Sequence, residues 1–144
     1  MQLSIREAQV NDYVSISKLI KNELGYEDLN SDKLFNRLEQ MKSNKNYLTV
    51  VAEHEREVVG FIGIFKGIAY NYDGEYIQII ALAVSMEHQS EGIGSKLLQW
   101  IEDYAIAQGI RSLGVNCGLH RTKSHAFYEH NGYVKKSYSF AKDI

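Results

Sequence analysis

Proline is absent from the 144 residues, and cysteine occurs once, at Cys117. A single cysteine excludes a disulfide framework and a thiolate metal cluster, and reads as an inert thiol. The missing proline carries no functional implication. No apolar run approaches the roughly eighteen residues of a membrane helix, and no basic stretch leads into an apolar one at the start. Neither sign of charge is in excess: the net charge of −2 and pI near 6.2 leave no basic face for nucleic acid. The five histidines are not spaced as His-x-x-x-His on one helix, and His120, His125 and His130 are rotated around a helix, so no metal is expected. What remains is 44% hydrophobic and 24% charged, the composition of a single globular domain over 1–144. It is expected to be cytoplasmic, without membrane or nucleic-acid partners, and either a monomer or a homodimer.

Periodicity orders the chain. Leu3 and Ile5 alternate as a strand, and Val10, Val14, Ile16, Leu19 and Ile20 repeat at helical spacing behind a cap at Asn11 or Asp12. Ser31 is the expected cap of a second helix with Leu34, Leu38 and Met41 on its face. Residues 47–53 and 58–68 read as strands around a charged turn at Glu55-Arg56, and 76–84 as a third. A helix over 92–108 stops at Gly109, a strand follows at 113–116, and a short helix bearing Tyr128 stops at Asn131-Gly132. Residues 134–140 read as a closing strand, which suits either an edge that pairs with a second subunit or a monomer. That order is α+β, with helices on both faces of a mixed sheet.

The strand ending at Val84 runs through Gln89-Ser90-Glu91-Gly92-Ile93-Gly94-Ser95 into the long helix. Backbone N–H groups at a helix start lack intrahelical partners and sit at the positive end of the dipole, so this loop suits a phosphate. No Gly-Lys-Ser/Thr follows, which excludes a P-loop, and Gln89 stands where a dinucleotide fingerprint has its first glycine. Downstream, Phe127-Tyr128-Glu129 precedes Gly132-Tyr133, with Arg121 and His125 seven and three residues before Tyr128.

Together these two segments resemble the GCN5-related N-acetyltransferase (GNAT) family, whose acetyl-CoA loop is Arg/Gln-x-x-Gly-x-Gly/Ala. The subgroup with Arg-x-x-Ala-His-x-Phe-Tyr is closer still. The resemblance implies a twisted, mostly antiparallel sheet of six to seven strands with four helices, its central strands splayed to admit the pantetheine arm. It implies main-chain contacts to acetyl-CoA from Leu82, Ala83 and Val84, and pyrophosphate contacts from Gln89, Ser90, Glu91, Gly92, Ile93, Gly94 and Ser95. Asn116, Arg121 and His125 join the cofactor set, Arg121 either pairing with a CoA phosphate or facing water. Tyr128 becomes the general acid for the departing thiolate. Histone-type members place a glutamate base where this chain has Gln78, so deprotonation falls to water held by Glu75, His88 or backbone, or to an amine that binds neutral. Ser90 and Glu91 depart from the family's glycine and basic residue, and Glu91 is expected to weaken CoA binding.

The acceptor pocket of such folds is built by the loop after the first helix and by the turn before the central strand. Here these hold Tyr26 and Glu27, and Tyr72 and Asp73. Acid beside aromatic suits a small cationic amine. The expected function is transfer of acetyl from acetyl-CoA to a small-molecule primary amine by direct attack on the thioester. A non-catalytic acyl-CoA-binding sensor is the alternative.

Overall fold

In the computed structural model, which describes residues 2–144, the alternation around Leu3 becomes strand β1 (Leu3–Glu7). It is followed by helices α1 (Tyr13–Glu23) and α2 (Ser31–Lys42), then by strands β2 (Tyr47–His54), β3 (Glu57–Ile68) and β4 (Glu75–Val84). Helix α3 (Ile93–Ala107), strand β5 (Leu113–Val115) and helix α4 (Thr122–His130) complete the order. The described residues form two compact units, one running to Gly114 and the other Val115–Ile144. No described helix is long and apolar enough to cross a membrane.

The sheet order is β1-β2-β3-β4-β5, and the first four strands pair antiparallel. The Ile77 N–H donates to Ser112 O at 2.9 Å, so β5 begins beside the beginning of β4 and runs parallel to it, making the sheet mixed. Alternation sends Val51 and Phe61 to one face, where Tyr13, Ile16, Leu19, Leu34 and Leu38 of α1 and α2 cover them. Gly60, next to Phe61, faces the other way: a Cβ there would lie 3.3 Å from Leu97 and 3.4 Å from Ile93 of α3. A glycine at that point lets α3 close on the sheet.

One irregularity redirects β4. Gly63 pairs with Ala81 and Ile64 with Ile79, leaving Ile80 as an extra residue. Side chains that share a face with Ile64 are therefore Ile77 and Ile79 before this bulge and Leu82 and Val84 after it. Ala83 turns instead towards α1 and α2, where it joins their core.

Five strands form, not six to seven. Residues 134–140 are neither helix nor strand, although they alternate as a strand should. Val134, Tyr138 and Phe140 are 75%, 80% and 94% exposed, and among the described residues no strand pairs with them; without a ladder an alternating pattern has nothing to hold it. Two caps also differ from expectation. Asn30, not Ser31, caps α2, its Oδ1 accepting from the Lys33 N–H at 3.0 Å. Asp12 precedes α1 but points back, accepting from the Gln9 N–H at 2.7 Å and from both Arg6 nitrogens at 2.7 and 3.0 Å. Val14, expected on the buried face, is 54% exposed.

Burial would raise the Asp12 pKa, yet the Arg6 guanidinium and the Gln9 N–H win and hold it below the usual carboxylate range. A depressed folded-state pKa contributes stability above the unfolded value of about 4, lost as pH falls through the folded value. Asp12→Asn should therefore cost about 2 kcal/mol in urea unfolding at pH 7. The gap to the parent protein should shrink below pH 4; an undiminished gap at pH 3 would show that charge is not its source.

Candidate active site

The far half of β4 has an unusual edge. Ser85 donates its N–H to Val59 O at 2.8 Å, and antiparallel pairs alternate between bonded and non-bonded. Ala83 and Ala81 therefore bond inward to Phe61 and Gly63, and the N–H and C=O of Leu82 and Val84 point to the outer edge. Three-residue β5 lies beside the start of β4 and does not extend to them. Ala83 itself is buried in the core, so the cofactor contacts expected of this stretch reduce to the main chain of Leu82 and Val84. The Val84 carbonyl accepts the Gln89 side-chain amide at 3.0 Å.

Beyond Val84 the chain makes one short helical turn (Met86–His88) and enters the glycine loop. Ser90 and Gly92 are both left-handed, at φ 70° and 81°. Gly92 is the residue before the first turn of α3, and nothing lies within 4 Å of where its Cβ would be. The Lys96 N–H bonds to Gly92 O at 3.1 Å, so the N–H groups of Ile93, Gly94 and Ser95, one turn earlier, project from the helix start. Ile93 contributes only backbone there, because its side chain is buried under α3. Gln89 is exposed and its side chain is tied back to α1: its Nε2 also reaches Glu23 Oε1 at 3.4 Å, and Glu23 Oε2 accepts the Met86 N–H at 3.1 Å. Glu91 is paired with His88, Oε2 to Nδ1 at 3.0 Å. Sequence reasoning missed Glu23, because a contact between residues 66 apart leaves no local pattern.

In the second unit, Arg121 precedes α4 and its N–H closes a turn on Gly118 O at 3.0 Å. His125 Nε2 bonds to the same carbonyl at 2.8 Å, so this imidazole nitrogen is engaged in positioning the loop before α4. Asn116 is exposed just beyond β5. Tyr128 lies on α4 with the rings of Phe127 and Tyr133 edge-on at 5.1 and 5.7 Å. Burial, then the nearby Cys117 thiol, pushes the Tyr128 phenol well above its ordinary range. Cys117 is itself raised by burial against the opposing charge of Arg121. A phenol so placed keeps its proton and acts as a donor.

The residues expected to receive the acceptor lie at the surface. Tyr26 is 60% exposed and Tyr72 41%, with Glu27 and Asp73 exposed beside them. Glu75 opens β4, seven residues before Leu82, a separation of roughly 23 Å along an extended strand; the two are not brought together. Gln78 reaches towards β5, its Oε1 3.2 Å from where a Cβ on Gly114 would stand. Among the described residues no group of three or more His, Cys, Asp or Glu side chains is arranged to hold a metal.

The sequence profile described as "Acetyltransferase (GNAT) family" matches residues 13–133. An aminoalkylphosphonate N-acetyltransferase from Salmonella typhimurium is 29% identical over 144 residues, covering 97% of this chain and 90% of that protein. A GNAT family acetyltransferase structure from Staphylococcus aureus superposes with a TM-score of 0.83 at 25% identity, covering 100% of both chains. A transcriptional regulator from Bacillus halodurans reaches a TM-score of 0.92 at 21% identity, covering 99% of this chain and 100% of that one. The last likeness shows the fold alone.

A serine at φ 70° is strained where glycine would be at ease, although glycine also gains freedom in the unfolded chain. Ser90→Gly should therefore stabilise the protein by about 0.5 kcal/mol, read from thermal unfolding. A destabilised variant would mean that the serine side chain makes a compensating contact.

Proposed function

Because this chain belongs to the GNAT family of acetyltransferases, we propose that it transfers acetyl from acetyl-CoA to the primary amine of a small cationic molecule. The observation that carries this reading is the outward edge of β4 at Leu82 and Val84, leading directly into a helix start with unpaired amides. The two amides of a pantetheine arm pair with such an edge as an added strand would. The pyrophosphate then meets the N–H groups of residues 90–95 and the dipole of α3, the Gln89 N–H being donated to Met86 O. One ligand with amides at one end and phosphates at the other uses both features.

The chemistry follows from these groups. The amine nitrogen attacks the thioester carbon, and a main-chain N–H on β4 stabilises the oxyanion. As the tetrahedral intermediate collapses, the C–S bond breaks and Tyr128 donates its proton to the sulfur. The ammonium formed on attack gives its proton to Tyr128, restoring the phenol and leaving an amide and CoA thiol. Acidic and aromatic side chains at Tyr26, Glu27, Tyr72 and Asp73 favour a cationic acceptor. The Salmonella relative, whose name gives it an aminoalkylphosphonate substrate, supports a small amine as the acceptor class.

Calorimetric titration of acetyl-CoA and CoA, with ATP as comparator, tests the cofactor; saturable binding of the first two and much weaker ATP is expected. Thiol release is then measured on polyamines, aminoglycosides and aminoalkylphosphonates. Binding without release on any amine would replace the enzyme by a sensor of the same fold. Tyr128→Phe should lower turnover by about a hundredfold while acetyl-CoA affinity stays within about twofold. Unchanged turnover would remove Tyr128 from the reaction.

A further inference from the structure

The loop assigned to the pyrophosphate carries a carboxylate of its own. Glu91 lies between Ser90 and Gly92, and its charge opposes an incoming dianion. Its partner is His88, whose Nδ1 is 3.0 Å from Glu91 Oε2; the His88 side chain is 20% exposed and that of Glu91 39%. The His88 ring meets the edge of His54 from β2 at 5.7 Å and 70°. His54 Nδ1 contacts Gln2 O at 2.8 Å, and its Nε2 is 3.8 Å from Glu55. Glu23 reaches the same segment from α1 through Met86 and Gln89, and Glu87 adjoins His88 in sequence.

We propose that His88 is a cofactor-positioning residue whose protonation opens the loop to the pyrophosphate of acetyl-CoA. As an imidazolium it neutralises Glu91. As a neutral ring it leaves Glu91 as an uncompensated negative charge beside the α3 amides. The inference rests on the acetyl-CoA reading above and adds a proton to it. The ring is cationic when protonated and neutral when not, so coenzyme affinity is greatest at low pH and declines as pH rises. Linkage requires the converse: bound pyrophosphate raises the proton affinity of His88.

Dephospho-CoA is the probe, since its pyrophosphate stays fully ionised and it lacks the 3′-phosphate that titrates in the same range. Calorimetric titration between pH 5.5 and 8.5 should show affinity falling about three- to fivefold, the scale of a partly exposed ion pair. Near the midpoint, binding should be accompanied by proton uptake, read from buffers of different ionisation enthalpy. His88→Gln should flatten the profile at the weak, high-pH level. Glu91→Gln should restore tighter binding at pH 8.5, and His54→Gln should keep the parental slope. A slope that survives in His88→Gln, a slope lost in His54→Gln, or a flat parental profile with binding intact overturns the proposal. Absence of dephospho-CoA and CoA binding at every pH would instead overturn the cofactor reading on which it stands.

Discussion

Backbone hydrogen bonding along β4 is the constraint from which the rest of the site follows. A strand has two edges, and each residue offers its N–H and C=O to only one of them. β3 satisfies one edge of β4 from Glu75 to Val84, while β5 accompanies only the other edge's beginning. The Ile80 bulge interrupts β4 just before its last four residues. It moves Leu82 and Val84 onto the α3 face and lets Ala83 enter the core under α1 and α2. A regular ten-residue strand would keep one set of side chains towards α3 throughout; the bulge exchanges the sets midway, so the small Ala81 and Ala83 face α1 and α2 beyond it.

The loop beyond β4 then solves a problem of charge and strain together. Two left-handed residues, Ser90 and Gly92, turn the chain into α3, and the α3 amides that result concentrate positive potential at its start. Glu91 works against that potential, and His88 offsets it. Glu23, the last residue of α1, accepts hydrogen bonds from both Met86 and Gln89. The segment immediately after Glu23 is the one that carries Tyr26 and Glu27. These two hydrogen bonds tie the loop proposed to hold the coenzyme to the end of the helix that leads into the loop proposed to receive the amine.

Local determinants were legible in the sequence and non-local ones were not. The helix start at Ile93 and the stops at Gly109 and Gly132, with φ 73° and 90°, follow from residues a few positions away. So does the face of α2, where Leu34 and Leu38 are buried. The Ile80 bulge is invisible in a run of Ile, Ala, Leu and Val, since only the register against β3 defines it. Asp12 resembled a cap because its residue type suits one, but Arg6 of β1 supplies a stronger partner. Residues 134–140 show the converse error: alternation proposes a strand, and only a neighbouring edge can make it one. The glycine turn into α3 was readable because it is set by consecutive backbone groups. The His88–Glu91 pair is as local as the loop, yet pairing depends on rotamers that spacing does not specify.

The environment of Tyr128 bears on where the amine's proton goes in the proposed reaction. A phenol raised by burial holds its proton more firmly than a CoA thiol does, so donation to sulfur alone is uphill. The tetrahedral intermediate supplies the missing drive, since its ammonium, bonded to a carbon bearing an oxyanion, is far more acidic than a free amine. If Tyr128 gives one proton to sulfur and receives one from that ammonium, the phenol ends as it began and charge never accumulates in a poorly solvated site. Such a relay needs no separate carboxylate base. Gln78 at the position of the family's glutamate, and Glu75 at the opposite end of β4, then become consistent with turnover, provided that the amine reaches the thioester unprotonated.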